Sequence, residues 1–186
     1  MFTNIYAANT FRFFFLLLIQ GLVLQYIGYK NIYVFIYPVF LMLLPLEIPH
    51  GLLVFLCFLL GISVDIFYNG FGLHASVMVA LAFARPLICG LIEPRGGYEV
   101  GQTLSAKNLG FRWFIRYSAV ISVLHMFLII LLEELSLSWF LLARVVIGFL
   151  LSMLMILLYQ FIFNPKIWLC QTICSSRDKK YCRQLS

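Results

Sequence analysis

Gly61-Ile-Ser-Val-Asp65-Ile-Phe-Tyr-Asn-Gly-Phe-Gly72-Leu-His74 places an acid near the end of one apolar run, then a glycine-bearing turn, then a histidine opening the next run. An aspartate at the centre of a membrane helix costs about 2.5–3.5 kcal/mol, and less toward the interface, so this one calls for a partner or a role. The tight turn makes the two flanking helices antiparallel neighbours.

The surrounding composition fixes the solvent. With 63% hydrophobic residues, 11% charged residues and a mean hydropathy of +1.02, the chain belongs in lipid, and soluble classes are set aside. Apolar runs cover 11–28, 32–46, 51–67, 73–91, 113–132 and 137–163. Measured against the roughly 20 residues that cross a bilayer core, they predict an all-α, polytopic bundle of about six transmembrane helices. The run 32–46 is short and carries Pro38 and Pro45, so re-entry is its alternative, and the termini would then lie on opposite faces. Residues 1–165 read as one transmembrane domain, and 166–186 as a basic, cysteine-containing tail.

Orientation follows from the basic residues, which cytoplasmic segments retain. With the N-terminus inside, Arg12, Arg95, Lys107, Arg112, Arg116, Lys166, Arg177, Lys179, Lys180 and Arg183 fall on the cytoplasmic side, and Lys30 falls outside. Both termini are therefore expected in the cytoplasm, the protein being multi-pass. The tail after Asn164-Pro165 would lie on anionic lipid, so the net charge of +6 needs no nucleic acid to explain it. No basic residue precedes Arg12 and no small-residue cleavage site closes the first run, so that run reads as a helix and not a signal peptide.

Cys57 and Cys89 lie in apolar runs, and Cys170, Cys174 and Cys182 on the expected cytoplasmic side, where thiols stay reduced. Their spacing lacks the paired C-x-x-C of a zinc site, so no metal and no cofactor is expected. The hydrophilic interval 92–112, with Pro94, Gly96, Gly97 and Gly101, is a cytoplasmic loop too short to bury a core. Nor does the chain carry a nucleotide loop, a His-Glu-x-x-His, a Gly-x-Ser-x-Gly or a Glu-Glu-x-x-x-Arg pattern, and an enzyme is not expected.

Polar residues recur at helical spacing: Arg144, Gly148 and Ser152; Ser118, Ser122 and His125, with Glu133 beyond; His74 and Arg85; and Gly21, Gln25 and Gly28. Close helix packing by small residues and hydrogen bonding is one reading of each stripe. Convergence is the other, because Asp65, Gly72, His74, His125, Glu133 and Glu134 all fall toward the outer end and form a candidate partner or ligand surface. Arg144, roughly 10 Å along its helix, would pair there with Asp65, Glu133 or Glu134 or reach for the interface. A salt-bridged plug and a binding site both remain open for this cluster.

Gly61-x-x-x-Asp65-x-Phe67, then a glycine turn, then Gly72-Leu73-His74-Ala75, resembles the corresponding hairpin of the rod shape-determining protein MreD family. Pro94-Arg-Gly-Gly-Tyr-Glu99 looks like the version in Bacteroidetes-type members, whereas the last 20 or so residues match no family feature. The resemblance implies a non-enzymatic membrane scaffold of the bacterial cell-elongation complex, helping to regulate cell shape and peptidoglycan synthesis. Implied partners are a bitopic MreC-like protein, an MreB-like actin homologue and the peptidoglycan transpeptidase and glycosyltransferase. It also implies a fold similar to the membrane S-component of energy-coupling-factor transporters, which makes a small-molecule-binding transporter subunit the runner-up. Because the outer cluster is charged and not aromatic-lined, the residues favour a partner surface, with the hairpin from Asp65 to His74 as the expected docking element.

Overall fold

The computed structural model describes residues 2–24, 34–94, 96–98, 103–133 and 139–163. Its helices are α1 (Phe2–Leu18), continued by a π-helical turn over Ile19–Leu24, α2 (Pro38–Leu43), α3 (His50–Tyr68), α4 (Leu73–Leu91), α5 (Ala106–Leu109), α6 (Phe111–Glu133) and α7 (Trp139–Phe163). Among the described residues there is no strand, only an isolated bridge between Pro45 and Thr103.

Four segments, His50–Tyr68, Leu73–Leu91, Phe111–Glu133 and Val145–Phe163, are long and apolar enough to cross a membrane. A helix of α3's length extends about 28 Å, close to the thickness of a bilayer's hydrocarbon core. Large apolar side chains such as Phe55, Phe83, Phe127 and Leu150 point outward, as lipid-facing residues do.

The run 32–46 takes a different form. Val34–Ile36 is extended, Pro38 opens the six-residue α2, and Pro45 follows its end. Proline suits a first helical turn and cannot continue a helix it follows, so this segment cannot become a long span like its neighbours. It lies inside the bundle, buried from Val34 to Leu44. Phe35 packs on His74 at the start of α4, while Pro45 meets Thr103 beside the 92–112 loop. The segment therefore leads through the core from the α3–α4 turn, the hairpin end, to the loop end.

Buried extended backbone needs hydrogen-bond partners, and without a sheet the helices supply them. Gln20 Nε2 donates to the Val34 carbonyl at 3.1 Å, and the Ile36 N–H donates to Gln20 Oε1 at 2.9 Å. The Phe35 N–H donates to Ser152 Oγ, also at 2.9 Å. One glutamine amide from the π-helical turn thus stands in for a neighbouring strand.

The α3–α4 hairpin closes through Gly61. A Cβ there would stand 2.8 Å from both the Ala75 nitrogen and the His74 carbonyl oxygen, so only glycine lets the two backbones approach this closely.

Candidate functional site at the hairpin end

Asp65, on the last turn of α3, is 2% exposed and turns into the bundle. Its Oδ1 accepts the His74 N–H at 3.0 Å and its Oδ2 the Ala75 N–H at 2.9 Å. The acid therefore caps the N-terminus of α4 from a neighbouring helix, satisfying amides that lack intrahelical partners and placing negative charge at the positive helix end. Its backbone carbonyl accepts the Gly70 N–H at 2.8 Å. A Cβ on Gly70 would collide with the Asp65 carboxylate, and Asn69 and Gly72 both have positive φ, 52° and 84°. Aspartate, asparagine and glycines thus make one stapled turn.

Capping by Asp65 directs His74 into the core. Its Nδ1 lies 3.0 Å from the Tyr37 hydroxyl, which lies 2.6 Å from His125 Nε2. A phenol has one proton, so Tyr37 donates to one imidazole and accepts an N–H from the other, fixing opposite roles for the two rings. Tyr37 is 0% and His125 1% exposed, so this chain is interior structure. Phe35 packs against the rings of Tyr37, His74 and His125, and Tyr68 against those of Phe35 and His74.

Above this layer lies an open recess of about 660 Å³. Phe35, Tyr68 and His74 line it from the interior, and Phe71, Asn69 and Glu133 lie along it from the turn and the end of α6. Phe71, at the tip of the turn, is fully exposed.

The structure gathers Asp65, Gly72, His74, His125 and Glu133 at one end of the bundle and gives them different tasks. Asp65 and His125 are buried and hold structure; Gly72, His74 and Glu133 line the recess. Glu134 lies outside the described residues, as do the side chain of Arg144 and the tail with Cys170, Cys174 and Cys182. Both Asp65 oxygens already accept backbone amides. Tyr37, Phe35, Tyr68 and Gln20 were not evident as site residues, because their contacts join segments far apart in sequence. Among the described residues, no group of three or more His, Cys, Asp and Glu side chains could hold a metal ion.

His74 and Arg85, which share a helical stripe, serve opposite ends. Arg85 is 3% exposed and bonds the Leu44 carbonyl, the Pro45 carbonyl at 3.4 Å and the Tyr117 hydroxyl at 3.4 Å. Nearby, Tyr98 donates to the Cys89 carbonyl at 2.7 Å and Trp113 Nε1 to the Ile92 carbonyl at 2.6 Å, pinning the loop to the end of α4. Burial, reinforced by Cys89 and Glu93, pushes the Tyr98 phenol up to about 12, so it stays a neutral donor. No family model matches the chain, and neither a curated protein nor a solved structure does.

Proposed function

We propose that this protein is a non-enzymatic scaffold of the bacterial cell-elongation machinery, with both termini cytoplasmic and its hairpin end facing outward. In this reading the chain crosses the inner membrane six times, the second crossing being the buried segment that contains α2. An MreC-like bitopic protein docks at the hairpin end, and through it the MreB-like filament and the peptidoglycan transpeptidase and glycosyltransferase are coupled. The observation that carries the reading is how the resembling motif is used. Gly61, Asp65 and Gly70 are consumed in stiffening a turn, and what that turn presents is an apolar ring, Phe71, fully exposed. A rigid tip bearing an aromatic anchor suits recognition, since ordering costs are met before the partner arrives.

The test is Phe71→Ser, assayed for co-purification with an MreC-like partner and for cell shape. Loss of the partner and rounded cells, with unchanged membrane abundance, is the expected result; retained partner and rods would overturn the docking role. A small-molecule-binding subunit, similar to a transporter S-component, is the second reading, favoured by the 660 Å³ recess. Normal cell shape on depletion, with a small molecule retained through purification, would support it over the scaffold.

A further inference from the structure

We propose that His74 is a proton-binding site opening on the recess, with its Nε2 held as the acceptor by the bridge through Tyr37. The bond lengths decide which way the bridge runs. Hydroxyl-donated hydrogen bonds run shorter than N–H···O bonds, which cluster near about 2.9–3.0 Å. The Tyr37 hydroxyl lies 2.6 Å from His125 Nε2 and 3.0 Å from His74 Nδ1. Tyr37 therefore donates to His125 and accepts the Nδ1–H of His74. A neutral imidazole carries one ring N–H, so with Nδ1 protonated Nε2 keeps its lone pair. His74 lines the recess while its Nδ1 turns inward to a fully buried phenol, which leaves Nε2 as the nitrogen for a proton arriving from the recess.

Uptake needs no rearrangement of the bridge. The proton adds to His74 Nε2, the Nδ1–H stays on the Tyr37 oxygen, and the Tyr37 proton stays on His125, whose own proton is thereby confined to Nδ1. One positive charge then appears on the inner wall of the recess as pH falls through the range in which histidines titrate. The surroundings suit it. From α3, Asp65 accepts the backbone N–H of His74 itself at 3.0 Å, which puts a carboxylate beside the new charge. The ring centroids of Tyr68 and Phe35 lie 5.3 and 5.4 Å from that of His74, inside the distance of about 6 Å at which an aromatic ring attracts a cation. From α6, His125 faces the bridge and Glu133 lines the recess. Gln20 and Ser152, which hold Tyr68 and Phe35 in place, do not titrate, and Arg85 serves the other end of α4.

The experiment uses the full chain in nanodiscs, labelled with nitrogen-15 histidine, and follows the ring nitrogens by NMR between about pH 4 and pH 9. The chain has three histidines, so His50→Gln and His74→Gln assign the signals. At the alkaline end His74 and His125 are both expected as Nδ1–H tautomers. On acidification His74 gains a second N–H and becomes an imidazolium, while His125 stays neutral with its tautomer unchanged. Tyr37→Phe keeps the ring packing but removes the acceptor of the His74 Nδ1–H, and should release neutral His74 to a mixture of both tautomers. The proposal is overturned by a His74 found as the Nε2–H tautomer in the unaltered protein, by one that stays neutral down to about pH 4 in the folded protein, or by an unchanged tautomer in Tyr37→Phe. The first two results need no bridge variant, so they decide the matter even where Tyr37→Phe fails to fold. None of these outcomes bears on partner docking at Phe71, which is tested separately.

Discussion

The hairpin end and the loop end solve one problem with opposite charges. At the hairpin end a buried carboxylate, Asp65, caps the N-terminus of α4; at the loop end a buried guanidinium, Arg85, bonds the carbonyls just past α2. Each charge sits against the helix end whose partial charge it complements. The partners differ, since Asp65 accepts two backbone amides at 2.9 and 3.0 Å whereas Arg85 donates to the Leu44 and Pro45 carbonyls and to the Tyr117 hydroxyl. Their surroundings differ too. The hairpin end opens into a recess, whereas Tyr98 and Trp113 fold the loop back onto the end of α4. Similar capping chemistry can therefore close one end of a bundle and leave the other presenting a surface.

The largest expected effect is Asp65→Ala. It leaves the His74 and Ala75 amides without their acceptors, a loss of about 2–4 kcal/mol for two unsatisfied buried donors. Asp65→Asn keeps one acceptor and should fall between alanine and wild type. Arg85→Met is expected to lose less, about 1–3 kcal/mol, because deleting the whole buried charge also removes its desolvation cost. Denaturant titration in one detergent ranks the three. If Arg85→Met unfolds as readily as Asp65→Ala, the two caps are energetically equal and the contrast fails.

Gly61→Val tests the hairpin from the packing side. Its side chain would begin 2.8 Å from the Ala75 nitrogen, and the forced separation of α3 and α4 should cost about 1–3 kcal/mol. Since that separation also pulls the α4 amides from Asp65, the double change with Asp65→Ala should cost less than the sum of the two. Strict additivity would mean that the close approach and the cap act independently.

Tyr37→Phe should be milder, about 1–2 kcal/mol, because it leaves two imidazole nitrogens without the hydroxyl they share but keeps the ring packing. NMR of the two imidazoles checks this directly, with their opposite hydrogen-bond roles at Nδ1 of His74 and Nε2 of His125 expected to vanish together. Unchanged ring signals would exclude Tyr37 as the bridge.

These residues also show how far sequence could reach. The α3–α4 hairpin was legible because its signals are local: an acid, an αL-tolerant asparagine, glycines and a histidine lie within fourteen residues of one another. The role of Asp65 was only half legible, since an ion pair and a helix cap ask for the same buried carboxylate. The Tyr37 bridge was not legible, because it joins positions 37 and 88 apart in the chain. The path of 34–45 was announced by its prolines as irregular, but its burial depends on Gln20 and Ser152, whose side chains replace a strand that hydropathy cannot reveal.

The smallest expected effect on stability is Phe71→Ser, and it sharpens the contrast between the ends most. Phe71 is fully exposed and caps nothing, so the change should stay within about 0.5 kcal/mol, the range of ordinary surface substitutions. A comparable change at the loop end, Trp113→Phe, removes the donor to the Ile92 carbonyl and should cost about 1 kcal/mol. If the hairpin end is the presenting end, Phe71→Ser abolishes partner co-purification at full stability, while Trp113→Phe loses stability and keeps the partner. Co-purification measured beside thermal unfolding for both variants separates the two behaviours. The reverse pattern would make the loop end the recognition surface and the hairpin a structural clasp alone.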